Sequence, residues 1–380
     1  MKHRLLDVLC CPCGATLSLR NIVTQPVDAK LRLAEVRCKT TCDFRQTQVS
    51  KGTVMPSDCT ECYASEITAG KLFCDQGHEW PIVDGIPRFI PESLARDFKK
   101  TQETFSFEWK MFRFGERNWG QDIETRKGLF LKGMNVSVEQ LKGKTILDAG
   151  CGSGLLSMEM AKSLGMEVFA LDLAYGIENA YRHNDSPNVH FVQGSVLELP
   201  FRSGYFDYVY CAGVLVALPN THEGFLSIIK KLRHGGRCFI WLYHPIDRVH
   251  HPNDIRKMTV YNWIRSNVTA RLPIKLQYAL YLSLMPAFLL KQRIEMLLGR
   301  AKNRRTWREK MQSLFDMFSP LYQNRHQEDE AVSWYCEEGF TNVAVSYQEE
   351  YGFGVRGDSP IQQAPQLVTG GPLQEKNAAR

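Results

Sequence analysis

At 380 residues the chain is long for one domain and suits a catalytic domain with a smaller appended module. Apolar residues make up 44% and charged residues 23%, the balance of an ordinary globular protein, which excludes a disordered or fibrous chain. A net charge of +6 and a pI near 8.6 suit an anionic partner or surface but fall short of the basic density of a dedicated nucleic-acid binder.

Residues 1–91 are rich in cysteine and turn residues. Of the twelve cysteines, Cys151, Cys211, Cys238 and Cys336 stand singly, and the others fall in close groups before residue 75. Met1 to Leu9 is too short an apolar start for an export signal, so the close pairs read as metal ligands in a reducing cytoplasm rather than as disulfides. The pairs are Cys10 with Cys13, Cys38 with Cys42, Cys59 with Cys62, and Cys74 with His78. Two such knuckles close a tetrahedral zinc site with no open position, so eight ligands predict two structural zinc ions. A sequential pairing joins the first two knuckles and the last two; a nested one joins the first to the last. The short span from Cys62 to Cys74 favours the sequential pairing, and Cys11 leaves the register of the first knuckle open. The region ends in a predicted strand, a tight turn at Asp84-Gly85 and an extended exit.

Residues 92–143 are expected to form a helical linker and lid, with Phe105-Ser106-Phe107-Glu108-Trp109 as its aromatic segment. From 144 to 245 short apolar runs alternate with helical patterns: Thr145–Leu147, Glu167–Leu171, Val189–Val192, Tyr208–Tyr210 and Arg237–Leu242 as strands. Residues 246–326 interrupt the rhythm with an apolar, basic helical insertion. Its most apolar run, Leu276 to Leu290, contains Pro286 and is too short to span a bilayer. Residues 327–355 complete the core with a helix over 329–338 and a strand over 341–347, and residues 356–380 read as a disordered tail. The fold class predicted is α/β: a doubly wound, mostly parallel seven-stranded sheet with an N-terminal zinc-ribbon module and a helical insertion.

Between the first strand and its helix lies Asp148-Ala149-Gly150-Cys151-Gly152-Ser153-Gly154, whose glycines let the backbone approach a ligand beside a helix N-terminus. The dinucleotide pattern would need glycine at Leu155 and lacks it. Asp172, at the end of the second strand, can accept both hydroxyls of a ribose. These residues resemble motif I and the ribose-binding acid of class I S-adenosylmethionine-dependent methyltransferases of the small-molecule type. Gly194 to Phe201 resembles their adenine-flanking loop, Phe206 to Leu215 their motif IV, and His234-Gly235-Gly236-Arg237 the turn before their fifth strand. The resemblance implies S-adenosylmethionine as cofactor, held by Asp148, Gly150, Gly152, Gly154, Asp172, Leu173, Ser195, Val196 and Cys211. Ser195 stands where the family often has aspartate, and Val216 stands near where quinone and sterol relatives tend to have histidine. The segments Leu5 to Cys10 and Gly70 to Pro87 resemble the small zinc-binding activator subunit of tRNA and protein methyltransferases, here fused in cis and capable of holding a protein partner.

Acceptors of open α/β sheets sit beyond the carboxyl ends of the strands. His244, after the fifth strand, is a candidate general base, with His326 and Asp316 behind it. The expected reaction is methyl transfer from S-adenosylmethionine to an O, N or C nucleophile of a small molecule such as a glycan, lipid precursor or other metabolite. The alternatives are an RNA methyltransferase using the ribbon, against which no aromatic and basic single-strand platform is visible, and a non-enzymatic scaffold. The insertion carries Arg271, Lys275, Lys291, Arg293, Arg304 and Arg305 among its leucines, a pattern that fits a lid or peripheral contact with an anionic membrane.

Overall fold

The computed structural model describes residues 1–27, 35–49, 53–90, 96–111, 114–117, 120–248, 252–299, 305–349 and 351–361. The N-terminal module contains β1 (Ser18–Pro26), β2 (Thr41–Cys42), β3 (Thr47–Gln48), α1 (Pro56–Tyr63), β4 (Ser65–Phe73), β5 (Glu79–Val83) and β6 (Ile86–Phe89). Asp84 and Gly85 both take positive φ, +51° and +78°, so a two-residue turn joins β5 to β6 as their sequence demands. Two helices, α2 (Arg96–Met111) and α3 (Ile123–Met134), lead with the short α4 (Val138–Leu141) into the catalytic region.

There β7 (Thr145–Ala149), α5 (Leu155–Ser163), β8 (Glu167–Asp172), α6 (Gly176–Arg182), β9 (Val189–Gly194), β10 (Phe206–Ala212), α7 (Thr221–Ile229) and β11 (Leu232–Tyr243) alternate. The insertion is α8 (Pro252–Asn267), α9 (Ile274–Leu297) and α10 (Trp307–Phe318). The chain closes with α11 (Glu328–Glu337), β12 (Thr341–Gln348) and β13 (Gly352–Asp358).

The main sheet has eleven strands, in the order β1-β4-β5-β6-β9-β8-β7-β10-β11-β13-β12. This corrects the expected seven. Strands β7 to β13 supply seven, and β6 pairs in parallel with β9 through Arg88–Gln193 and Phe89–Gly194, which adds the antiparallel strands of the N-terminal module to that edge. Parallel pairing runs only from β6 to β11; both ends of the sheet are antiparallel. β13 also lies between β11 and β12, so residues 356–358 belong to the sheet and not to a disordered tail. Residues 362–380 lie outside the described residues.

Alternate residues of the central strands pack two layers, as a sheet buried on both faces requires. Ile146, Val168, Ala170 and Phe191 face Phe130 and Met134 of α3, Leu156 and Met160 of α5, and Ile177 of α6. Leu147, Phe169, Val192, Val209 and Ile240 face Phe225 of α7 and Tyr335 of α11. The second core continues without a break into Leu5, Leu9, Leu17, Ile67, Leu72 and Ile82, so the N-terminal module shares its core with the catalytic sheet. Among the described residues no helix is long and apolar enough to cross a membrane.

Candidate active site and metal centre

The strand order reverses at β7, which lies between β8 and β10, and the crevice opens at the carboxyl ends of these strands. A cavity of about 520 Å³ fills it, within the range of small-molecule sites. Gly150, Gly152, Asp172, Leu173, Ser195 and Val196 line this cavity. Gly152 has φ +56°, and a Cβ there would come within 2.4 Å of the Trp109 ring, so glycine is required for α2 to close over the loop. Phe105 and Trp109 of α2 form part of the wall, as the aromatic lid segment predicts.

Asp172 is fixed by two backbone amides: Gly152 N donates to one carboxylate oxygen and Ala174 N to the other, both at 2.8 Å. Each oxygen keeps a further lone pair for a ligand hydroxyl. Burial pushes its carboxyl above the ordinary value, against the lowering effect of those amides. Asp148 is buried behind the loop, accepts from Ser157 Oγ at 2.5 Å, and is pushed up to about 6 by burial. Neither Asp148 nor Gly154 lines the cavity. Cys211 is a correction: it is fully buried in the core beneath the sheet and does not reach the cavity wall.

The two candidate histidines also lie elsewhere. His326 engages Glu330 through Nδ1 and Thr221 through Nε2, each at 3.0 Å, which leaves neither ring nitrogen for an acceptor. His244 packs its ring on Phe353 with Nδ1 4.0 Å from Glu328. Neither lines the cavity, because the chain turns back after Tyr243 and the ring of Tyr243 takes the wall instead.

Of the candidates beyond the fifth strand, Asp316 does line the cavity, and several further cavity residues escape a motif-based reading. Arg126 of α3 lines the wall with its buried Nη1 unpartnered, and burial lowers its pKa against the charge of Asp148 and the Tyr210 hydroxyl. The cavity is also lined by Tyr210, Trp241, Tyr243, Asp316, Tyr322 and Arg325. Tyr243 donates its hydroxyl toward Asp316 at 3.4 Å. Glu108 of α2 is 1% exposed, and among the described residues only the Gln312 side chain approaches its carboxylate as a hydrogen-bond donor. Burial, then the charge of Asp316, drives Glu108 well above the carboxylate range, while Asp316 is pushed up to about 6 by burial. The pair thus resists ionisation more than two separate carboxylates would. No sequence spacing joins residues 108, 243 and 316; only the packing of α2, α10 and the end of β11 does.

In the N-terminal module Cys11, Cys13, Cys74 and His78 place their ligand atoms within 4.8 Å of one another. Individual separations are 3.7 Å for Cys11–His78, 3.9 Å for Cys13–Cys74 and 3.5 Å for Cys74–His78. A tetrahedron with bonds of about 2.3 Å has edges of about 3.8 Å, so this donor set fits zinc. Trp80 Nε1 donates to Cys11 Sγ at 3.5 Å, an outer-shell contact of the kind that orients a ligand. The cluster corrects the first knuckle: Cys10 is not a member, since its amide donates to Pro200 O and its thiol lies near Lys231 and Arg202. It also replaces the sequential pairing with the nested one for this site, because β4 and β5 carry Cys74 and His78 back beside residues 11–13. Cys38, Cys42, Cys59 and Cys62 are all buried, and the first three pack together around Val54.

With this geometry in place, comparison with known proteins defines the class of the central region. Residues 146–236 match the family model described as a methyltransferase domain, and they constitute a domain of the S-adenosylmethionine-dependent methyltransferase type. Among curated relatives, an uncharacterised protein of Synechococcus sp. is 33% identical over 125 residues, 31% of this chain and 29% of its own length. The ubiquinone biosynthesis O-methyltransferase of Xanthomonas oryzae pv. oryzae is 36% identical over 104 residues, 26% of this chain and 43% of its own length. The chain therefore spans less than half the length of these relatives. Among solved structures, the magnesium protoporphyrin IX methyltransferase of Synechocystis aligns with a TM-score of 0.42 at 14% identity, over 70% of this chain and 100% of that one.

Proposed function

We propose that this chain transfers the methyl group of S-adenosylmethionine to a small-molecule acceptor in the cavity between the sheet and the helical insertion. One observation carries the reading: a single cavity is lined by the glycine loop and Asp172 and also by Tyr243, Asp316 and Tyr322. When bound, the cofactor supplies an electrophilic methyl, so the protein's task is alignment and exclusion of water. Asp172 would hold the ribose hydroxyls and Arg126 the amino-acid carboxylate, with Phe105 and Trp109 closing the site. Asp316, backed by Glu108, would accept the proton of an acceptor O–H or N–H. The similarity to a ubiquinone biosynthesis O-methyltransferase over 104 residues supports a small acceptor.

The cofactor assignment is tested by Asp172→Ala. Loss of two charge-assisted hydrogen bonds should remove about 2–4 kcal/mol of S-adenosylmethionine affinity in calorimetry, with circular dichroism unchanged. Unchanged affinity would remove Asp172 from the site. Transfer of labelled methyl into a fractionated extract, before and after ribonuclease treatment, separates a small acceptor from RNA. Once an acceptor fraction is in hand, Asp316→Asn should lower kcat by about 10²-fold or more while leaving cofactor affinity intact. Wild-type activity should fall as the pH drops through about 6, where Asp316 takes up its proton. A variant that keeps both its rate and that acid limb would exclude Asp316.

We also propose structural zinc at Cys11, Cys13, Cys74 and His78, and a second zinc at the inner knuckles Cys38, Cys42, Cys59 and Cys62. Their burial supports the second site, as does the Arg37 amide that donates to Cys59 Sγ at 3.4 Å, a bond that favours a thiolate. Metal-bound thiolates suit a reducing compartment such as the cytoplasm. The ribbon's protein partner, in this reading, is the chain's own catalytic sheet.

A further inference from the structure

Among the described residues the insertion leaves one face without a partner. On α9, Gln277, Tyr281, Met285 and Gln292 are buried, and Tyr281 and Met285 pack with Met311 and Phe315 of α10. On the other side Leu276, Leu280, Ser283, Ala287, Leu290, Ile294 and Leu297 follow one another at alternating steps of four and three residues, and all are exposed. Leu290 is 59% and Leu297 87% exposed. Leucine and isoleucine dominate a stripe about 30 Å long at the α-helical rise. A contiguous exposed apolar stripe of this kind marks a contact surface.

The charges beside the stripe choose its occupant. Lys275, Lys291 and Arg293 of α9 are exposed, as are Arg256 and Lys257 of α8 and Arg271 between the helices. Over residues 255–299 the sole acidic residue is Glu295, which pairs with Lys291 at 3.6 Å. Trp263 of α8 is 61% exposed, an indole of the kind that settles at a lipid headgroup. A second copy of this face would bring basic residues against basic residues, whereas an anionic bilayer would neutralise them. We propose that α9 is an interfacial helix that seats this protein on the surface of an anionic membrane, leucines down and lysines toward the headgroups.

The cavity wall includes Met258 of α8 and Asp316 and Met317 of α10, and α10 packs on both α8 and α9, so α9 lies one helix away from the cavity. The proposal does not depend on which atom is methylated, nor on methyl transfer itself.

The test uses full-length, zinc-replete protein floated with vesicles of phosphatidylcholine alone or with about 30 mol % phosphatidylglycerol, a typical anionic fraction. The wild type should float with the anionic vesicles and not with the neutral ones. Leu280→Glu with Leu290→Glu should reduce binding roughly tenfold or more, and Lys291→Glu with Arg293→Glu should do so at low salt. Unaltered S-adenosylmethionine affinity in calorimetry certifies that each variant is folded. Three outcomes would overturn the proposal: absence of flotation, equal flotation with neutral vesicles, or flotation that survives both double variants. Light scattering that shows a dimer broken by the leucine variants, without vesicle binding, would assign the face to a second copy instead.

Discussion

Cys74→Ser is expected to cost the protein its metal, the order of its N-terminal module, and most of its affinity for S-adenosylmethionine. Structural zinc contributes about 10–16 kcal/mol to the folding of small zinc-finger peptides, and loss of one ligand of four forfeits much of that. The effect should reach the cofactor because the module holds the loop after β9 from two sides. Arg88 and Phe89 of β6 pair with Gln193 and Gly194, and Arg88 Nη1 donates to Gln193 Oε1 at 2.8 Å. Farther along, Cys10 N donates to Pro200 O at 3.0 Å, Arg202 N donates to Val8 O at 2.9 Å, and Leu9 bridges to Phe201. Between these clamps lie Ser195 and Val196 on the cavity wall. Metal analysis and calorimetry on the wild type, Cys74→Ser and Cys10→Ser make the comparison. Cys10→Ser should keep its zinc, since that thiol is outside the cluster. A Cys74→Ser protein with full metal content and undiminished affinity would refute both the site and the coupling.

The same region shows what a sequence discloses and what it withholds. Local chemistry was legible. The positive φ values at Asp84 and Gly85, the glycine loop after β7, and Asp172 at a strand end follow from residue types that admit few other roles. The metal ligands were legible as a set of knuckles, yet Cys10 and Cys11 are adjacent, and only the tie of the Cys10 amide to Pro200 decides which thiol turns inward. The eleven-stranded sheet was not legible, because β6 reads as the end of a ribbon and nothing in its four residues announces a parallel partner more than a hundred positions away. The acceptor wall was least legible. His244 and His326 draw attention by residue type, but their side chains are committed to Phe353, Thr221 and Glu330. Asp316 stood behind the histidines as a candidate by residue type, but the character it shares with Glu108 comes from mutual burial, which no spacing encodes.

The second large effect is expected at Arg4, which is 1% exposed and joins the module to the end of the sheet opposite the cofactor cavity. Its Nε and Nη2 donate to the two oxygens of Glu167 at 3.1 Å, its Nη1 to Asp7 at 3.0 Å, and its Nη2 also to the Tyr205 hydroxyl at 2.8 Å. Tyr63 donates to Glu167 as well, and His190 Nε2 lies 3.1 Å from it. Arg4→Ala would strand two buried carboxylates and should lower stability by about 3–5 kcal/mol in urea unfolding at neutral pH. Acidification should narrow that gap. Burial alone would raise the Glu167 and Asp7 carboxyls, but in each the charge of Arg4 with further hydrogen bonds outweighs it and holds the group below its ordinary value. Folded-state values below the unfolded ones mean a stabilisation fully present above an unfolded value of about 4 and lost as the pH falls toward the folded values. The variant has no such contribution to lose, and its unpaired carboxyls become cheaper to bury once protonated. The difference between wild type and variant should therefore narrow progressively as the pH falls from about 4.5 to 3, and continue to narrow below that. A constant difference over that window, or a loss under about 1 kcal/mol at neutral pH, would mean that the module is held by its apolar core and the β6–β9 pairing alone.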